Sequence, residues 1–364
     1  MTKELEILAL PGDGIGPEVM APALRLLERI IDKAGLSLVL HEDLIHGQAW
    51  DAHETFCRDE TVEKAKAVDA VLVGATGGEK WDNLVPNGTP EEKDGLMRLR
   101  KELDVFAGIR PAKSYTHLFD KTPYQSEVLH NVDLIILREM CGGVMFANPR
   151  GIEKDGTQLI RGFDTSSYSV EEVERHAHFG FQLAQSRNKR LTSVDKANVM
   201  ESGVFWREVV TGVSEEYPDV YFENMYADNC SYQIAIRPSQ FDVILADNLF
   251  GDILSDQAAA LSGSLGMLAS ASLPSHLSNS PGIYEPVHGT APDIAGENVA
   301  NPIGMILSLA LMFEFGFSMQ GIAEKIHLAV EEVTQTGPLT PDLGGSGTTS
   351  EVADAILLAV ERNF

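Results

Sequence analysis

Cysteine is scarce in this chain, with three in 364 residues. Cys57, Cys141 and Cys230 are far apart, odd in number and never in a CxxC pair, so they suggest neither a disulfide framework nor a zinc site. Positive charge is scarce too: 28 Lys and Arg stand against 54 Asp and Glu, a formal net charge of -26. That deficit leaves no basic stripe for nucleic acid and no attraction to anionic membranes, so neither partner is expected. Long apolar runs are also missing. The most apolar segment, residues 302–313, is too short to span a bilayer and is broken by Glu314, so it reads as a buried helix. The opening MTKELEILAL has acids where a secretory signal needs basic residues, and a cytoplasmic protein is the expectation. There is no internal repeat and no low-complexity tract. What remains is 44% hydrophobic and 23% charged, a globular balance in a chain long enough for two domains or one large α/β unit with an insertion.

Acids organise the rest of the sequence. Residues 241–256, FDVILADNLFGDILSD, begin as a short β-prone strand to Ala246, turn through residues 248–251 and continue as a helix carrying Asp252 and Asp256. Residues four apart share a helix face, and two like charges there repel by roughly 0.2–0.5 kcal/mol unless something positive sits between them. A divalent cation would supply that charge, and hard oxygen donors suit Mg²⁺ or Mn²⁺ better than zinc. The competing reading is that acids in a first helical turn merely complement the macrodipole. A third carboxylate, Asp228, falls at the end of a strand over residues 220–226.

Elsewhere strands and helices alternate, which argues an α/β fold with a mainly parallel sheet. Residues 5–10 read as a buried strand, followed by the glycine turn PGDGIG around Ile15 and a helix over residues 17–34. The spacing is GxGxG and not the dinucleotide fingerprint GxGxxG, so the turn supports only a close approach of backbone to a ligand. A strand over residues 69–74 ends in ATGG, which places Gly77 at a carboxyl end, where open α/β sheets bind ligands. After a polar loop over residues 81–95, a helix over residues 96–103 carries Met97, Arg98 and Arg100. Arg110 precedes a proline, and Arg138 ends a strand over residues 133–137. Such arginines clamp carboxylates bidentately or sit in solvated or structural ion pairs. Residues 139–151 bend and lead into an exposed excursion through Arg161, either an arm toward another subunit or a loose surface loop. Beyond a helix over residues 170–186, the strand 191–194 delivers Lys196, a candidate base or a surface lysine beside Asp195. The loop 285–296, EPVHGTAPDIAG, offers backbone groups suited to gripping a nucleotide, or is a connector. Helices over residues 302–316, 322–334 and from 350 onward complete the chain.

Five segments carry a further signal: GDGIGPE (12–18), SVDKANV (193–199), DNLFGDILSD (247–256), EPVHGTAPDIAG (285–296) and PDLGG (341–345). In this order, along essentially the whole chain, they resemble the isocitrate/isopropylmalate dehydrogenase family. The resemblance implies a two-domain α/β fold that is not a Rossmann fold. Residues 1–105 and 263–364 would form the cofactor-side domain, with its mainly parallel sheet, and residues 106–262 an inserted second domain with the dimer interface and arm. It implies a homodimer with shared active sites. Asp228, Asp252 and Asp256 would bind Mg²⁺ or Mn²⁺, with Lys196 and Asp228 catalytic and entering the other subunit's site. Arg100, Arg110 and Arg138 would hold the carboxylates of a small 2-hydroxy dicarboxylate, beside Leu96, Met97 and Met145. NAD would lie against Ile15, Gly77, Glu285, His288, Gly289, Thr290, Ala291, Asp293 and Asn301. The implied chemistry is oxidation and β-decarboxylation of 3-isopropylmalate or a closely related 3-substituted malate.

Three positions depart from the family pattern. The family's GGIYFG appears here as GGVMFA, which puts Met145 in the place of a tyrosine. Lys93, or Glu92 after a one-residue shift, stands where a glutamate usually faces the nicotinamide. The paired leucines that mark a branched alkyl substrate read Leu96-Met97. Two further readings follow: the same reaction on another 2-hydroxy diacid of the isocitrate, homoisocitrate, methylmalate or tartrate type, and a regulatory homologue that has lost turnover. The apolar Leu96-Met97 pair speaks against a more acidic substrate, and the intact acids, Lys196 and arginines speak against lost turnover.

Overall fold

The computed structural model describes residues 4–85, 88–274 and 281–364. Its strands are β1 (Glu4–Gly12), β2 (Ser37–Glu42), β3 (Ala70–Ala75), β4 (Ala107–Lys113), β5 (Asp133–Glu139), β6 (Gly151–Asp155), β7 (Gln158–Phe163), β8 (Arg190–Asp195), β9 (Tyr221–Tyr226), β10 (Val243–Ala246), β11 (Ala269–Leu273) and β12 (Gly282–Pro286). Ten of them form one sheet, in the order β2-β1-β3-β12-β11-β4-β5-β10-β8-β9. Two parallel blocks, β2-β1-β3-β12 and β5-β10-β8-β9, are joined through β11 and β4, whose three pairings are antiparallel. The mainly parallel sheet expected from the alternating elements is therefore present, with an antiparallel seam at its centre.

Apolar runs such as AVLVGA in β3 are buried along their whole length because helices cover both faces of the sheet. Leu26, Leu27 and Ile30 of the helix Gly16–Ala34, with Ile306, Ile326 and Ile356 from three C-terminal helices, pack into the largest cluster. A second cluster lies between Leu134, Ile136 and Ile244 of the sheet and Ile234 and Leu254 of the helices beside them. Gly35 ends the first helix in the left-handed conformation, as its position after Ala34 predicts.

Several expectations shift. The segment read as the turn 248–251 is already helical, because the helix spans Asn248–Ala259. The helix read over residues 302–316 ends at Leu311 and passes into a wider π-helical turn, Met312–Gly316. The polar loop 81–95 contains a short helix, Pro90–Lys93, closed by a reciprocal cap between Thr89 and Glu92, while its Pro86 and Asn87 lie outside the described residues. The excursion after Gly151 is an exposed antiparallel hairpin of β6 and β7 carrying Ile152, Leu159 and Ile160 to solvent. No helix among the described residues is long and apolar enough to cross a membrane.

Candidate active site

The antiparallel seam positions the arginines. In the β4–β5 register Arg110 lies opposite Ile136 and Gly108 opposite Arg138, so Arg110 and Arg138 are diagonal neighbours on one face. The helix Asn248–Ala259 follows β10, which pairs with β5, and crosses that same face. Asp247 is its N-cap, accepting from the Phe250 amide at 2.7 Å. Asp252 and Asp256 therefore occupy later turns, the first turn contains no acid, and the macrodipole reading does not apply to them. Gly251 permits the crossing: a Cβ there would lie 2.8 Å from Cβ and Cγ of Arg138.

Arg138 is gripped from several sides. Its Nη1 bonds Asp252, Nε and Nη2 donate to Asn248 Oδ1 at 3.0 and 2.7 Å, and Nη2 also lies 3.3 Å from Met145 Sδ. Arg110 Nη1 donates to Asp252 Oδ1 at 3.1 Å and to Ser255 Oγ at 2.7 Å. The two arginines are only 5% and 7% exposed. Burial presses the pKa of both below the ordinary value; Arg110's charge adds to the effect on Arg138 and Arg100's charge to both, against the pull of Asp252. An anion brought to this face relieves that cost. Arg100 lies in the same field but pairs with Glu285 at 2.6 Å; burial lowers its pKa, and Glu285 with Asp94 and Asp252 brings it above the ordinary value. Arg100 Nε and Arg110 Nε are buried without an acceptor among the described residues.

The expected site residues fall into two groups. Asp252 is half-buried with Oδ1 taken by the arginines and Oδ2 without a hydrogen bond among the described residues. Asp256 stands one turn further on, its pKa raised by partial burial, lowered by Arg110 and raised again by Asp252. These two hard oxygen donors suit a divalent cation. Asp228 is not with them: it begins the helix after β9 and pairs with Lys196 Nζ at 2.6 Å. Among the described residues no three metal-ligating side chains gather in one place. Leu96 packs into the core beside Leu99 and Val105, Met97 next to it is half-exposed, and Lys93 and Glu92 face solvent.

The glycine loops form the other half of the site. The Ile15 amide donates to the Thr290 carbonyl at 2.8 Å, and Gly14, at φ 54, is pressed against Thr290 so closely that a Cβ would lie 2.1 Å from its oxygen. Asp13, 2% exposed, collects His46 Nδ1 and the amides of Gly47, Gln48 and Gly77, tying the loop after β3 to the first turn. Gly289 leaves open space, and Ala291 takes a positive φ of 37. Beneath them a cavity of about 400 Å³ is lined by Ile15, His288, Ile294, Val299, Asn301 and Asp342, among others. His288 Nε2 is buried there without a partner, the signature of a site that expects a polar ligand atom on an apolar floor. Asp293 lies exposed beside Ile294. Asn301 donates to Asp342 at 2.9 Å and accepts from the Ile303 amide, and Glu285 is held by Arg100, so these two serve partly to shape the walls.

The sequence reading missed Asn248, Ser255, Asp13 and Asp342. Asn248 and Ser255 stand four before and three after Asp252, a spacing that puts them on its helix face. Asp13 and Asp342 lie inside quoted motifs, but nothing local shows that Asp13 is buried among the amides of two loops or that Asp342 gathers Ser264, Asn301 and Thr340.

Fold and site together define an α/β enzyme whose candidate site sets buried arginines beside two carboxylates. The isocitrate/isopropylmalate dehydrogenase profile matches residues 6–356, and the chain belongs to that family. It is 48% identical over 365 residues to the 3-isopropylmalate dehydrogenase of Ruegeria pomeroyi, covering 98% of this chain and 99% of that protein. It is 46% identical over 359 residues to the enzyme of the same name from Hydrogenovibrio crunogenus, with the same coverage. Among solved structures, an isocitrate dehydrogenase from Methylococcus capsulatus superposes with a TM-score of 0.86 at 31% identity, covering 98% of this chain and 99% of that one. A beta-decarboxylating dehydrogenase from Thermococcus kodakarensis gives 0.78 at 30% identity, covering 98% and 96%.

Proposed function

We propose that this oxidoreductase catalyses the NAD-dependent oxidative decarboxylation of 3-isopropylmalate, the leucine-biosynthetic step, in the cytoplasm. The observation that carries the substrate class is the cluster of Arg100, Arg110 and Arg138 on one face, two of them with unused buried Nε donors, beside the carboxylates of Asp252 and Asp256. Two carboxylates of a malate satisfy such a cluster, and bidentate contacts fix the C2–H bond relative to the cofactor. The names of the full-length relatives favour the isopropyl substituent.

Asp252 and Asp256 would hold Mg²⁺ or Mn²⁺, which when bound supplies positive charge beside the oxygen where negative charge develops. Ile15, His288, Ile294 and the backbone of residues 288–291 would hold NAD, which when bound would supply the hydride acceptor. Lys196 and Asp228 complete the site from a second copy of the chain; paired with Asp228, Lys196 serves to move the C2 hydroxyl proton. Residues 1–105 with 263–364 and residues 106–262 act as two domains, with the β6–β7 hairpin as an arm at the dimer interface.

Initial rates of NADH formation across a panel of 3-substituted malates, isocitrate and tartrate test this reading. The expected result is the highest kcat/KM for 3-isopropylmalate, lost on chelation and restored by Mg²⁺ or Mn²⁺. Preference for isocitrate, or full activity in excess chelator, would overturn it.

A further inference from the structure

On the face of β4 and β5 turned away from Arg110 and Arg138 lies a cavity of about 440 Å³. Strand alternation puts Pro111 and Lys113 of β4, and Asp133 and Ile135 of β5, on this side. Its far wall is built by the helices Ile303–Leu311 and Gln320–Thr336 and by the π-helical turn between them. Such turns are rare and recur at functional sites. Here the turn sets Glu314 in the wall.

Unused groups in this cavity have one sign. Glu314 makes no hydrogen bond or ion pair among the described residues, and burial raises its pKa against the pull of Arg187. Ser262, 2% exposed, has its Oγ buried without a partner. The cations are already engaged: Arg187 donates to Asp133 and Asp242, each at 2.8 Å, and Lys113 lies 3.5 Å from Glu331. His327 sits at the exposed rim, where desolvation and then Lys113 lower its pKa against the pull of Asp133 and Glu331. The wall thus holds Asp133, Glu314 and Glu324 against two spent cations, over an apolar floor of Leu307, Leu311 and Ala323.

We propose that this cavity is a second ligand site and takes a small aliphatic ammonium. Its N–H groups meet the Glu314 carboxylate and the Ser262 hydroxyl, and its hydrocarbon body lies on the apolar floor. An anion meets the wrong sign of unpaired charge, and a neutral alcohol leaves the half-buried Glu314 carboxylate with no cation at hydrogen-bond distance. Because the cavity and the arginines occupy opposite faces of the same strands, the amine and the dicarboxylate do not compete.

Calorimetric titration of the purified protein at pH 8 with 3-methylbutylamine, 3-methylbutanol and 3-methylbutanoate tests the proposal. The amine is expected to bind at least tenfold more tightly than either analogue and to stay bound when 3-isopropylmalate is saturating. Glu314→Gln should weaken it tenfold or more, and Glu324→Gln two- to threefold, with the rate of NADH formation unchanged. An amine that binds no better than the alcohol, that the diacid displaces, or that binds Glu314→Gln undiminished would overturn the proposal. Should Glu314→Gln not fold, Ser262→Ala decides, since it removes only an atom without a partner: affinity reduced severalfold supports the site, and unchanged affinity refutes it.

Discussion

Replacing Asn248 by alanine separates the architecture of the site from its chemistry. Asn248 touches no expected ligand, yet its Oδ1 accepts from Arg138 Nε and Nη2, its Nδ2 donates to the Gly142 carbonyl at 3.0 Å and its amide donates to Tyr168 Oη at 3.0 Å. Only the side-chain contacts are lost in Asn248→Ala. A hydrogen bond to a charged group contributes about 1.5–3 kcal/mol and a neutral one about 1 kcal/mol, so the expected loss of folding stability is about 3 kcal/mol. The freed guanidinium keeps its bond to Asp252 but no longer has its plane fixed. A misplaced clamp should lower kcat/KM about 10–100-fold, or about 1.4–2.8 kcal/mol of transition-state stabilisation. Asn248→Asp is the informative partner. It keeps the acceptor and adds a charge that competes with the substrate carboxylate for Arg138, so KM should rise more than kcat falls. Urea unfolding and initial rates of NADH formation measure both quantities. If Asn248→Ala loses the stability but keeps kcat/KM within threefold, Arg138 is not a substrate clamp that Asn248 aims, and the assignment of this face is wrong.

Four further outcomes are expected. His176 is fully buried against Leu137, Phe106 and Trp206, and burial lowers its pKa to about 3, so it contributes stability that is full above the unfolded value near 6.5 and is lost as pH falls toward 3; His176→Phe should flatten the part of that decline sampled between pH 7 and 4, on the order of 3 kcal/mol, in unfolding curves. Asp293, exposed beside the cofactor cavity, should repel a 2′-phosphate, so NAD is preferred over NADP at least tenfold and Asp293→Arg narrows the ratio; equal kcat/KM for the two cofactors in the wild type contradicts this. Mixing inactive Lys196→Ala with inactive Arg138→Ala chains should restore part of the activity through hybrid dimers, and no recovery despite proven subunit exchange counts against shared sites. Met145 offers a thioether where the family pattern has a phenol, and general acid catalysis contributes about 10²–10⁴-fold, so Met145→Tyr should raise kcat on 3-isopropylmalate while Met145→Phe does not.

Legibility in the sequence followed the distance between partners. The strand and helix of residues 241–256 could be read because their period and the Asp252–Asp256 spacing are local, although residues 248–251, helical from the cap at Asp247 onward, read as a turn. The loops proposed to hold the cofactor could be read as glycine-rich carboxyl ends, since Gly14 and Gly77 betray backbone strain through residue type alone. The central seam could not. β11 is the polar run ASASL, and β4 contains a proline, so neither has the apolar stretch that marks β3 or β10; what makes them strands is the pairing of Ala271 with Ile109 and of Arg110 with Ile136, decided by chain far away. The bonds from Arg138 to Asn248 and from Arg100 to Glu285 cross 110 and 185 residues, and no spacing rule encodes them.

The same distinction between local and global resolves the oddest feature of the composition, a chain of net charge -26 proposed to hold a dianion. At physiological salt a surface charge is screened within about 8 Å, so most of the acids are nearly invisible to a ligand on the β4–β5 face. What the ligand meets there is a few groups at hydrogen-bond distance in a poorly solvated setting, where each interaction is several times stronger than in water. Arg110 and Arg138 are buried beside one another, with Arg100 in the same field, and Asp252 and Glu285 engage them only in part, which leaves Nε donors of Arg100 and Arg110 unused. On the proposed function, placing cations inside and acids outside also sorts ligands by charge: a metal ion would be drawn to the exposed Asp256 and half-buried Asp252, while a dicarboxylate would be bound tightly only where the arginines are. An arginine-to-methionine change at position 138 would therefore weaken the diacid far more than any surface Asp→Asn change strengthens it, even though both alter the net charge by one.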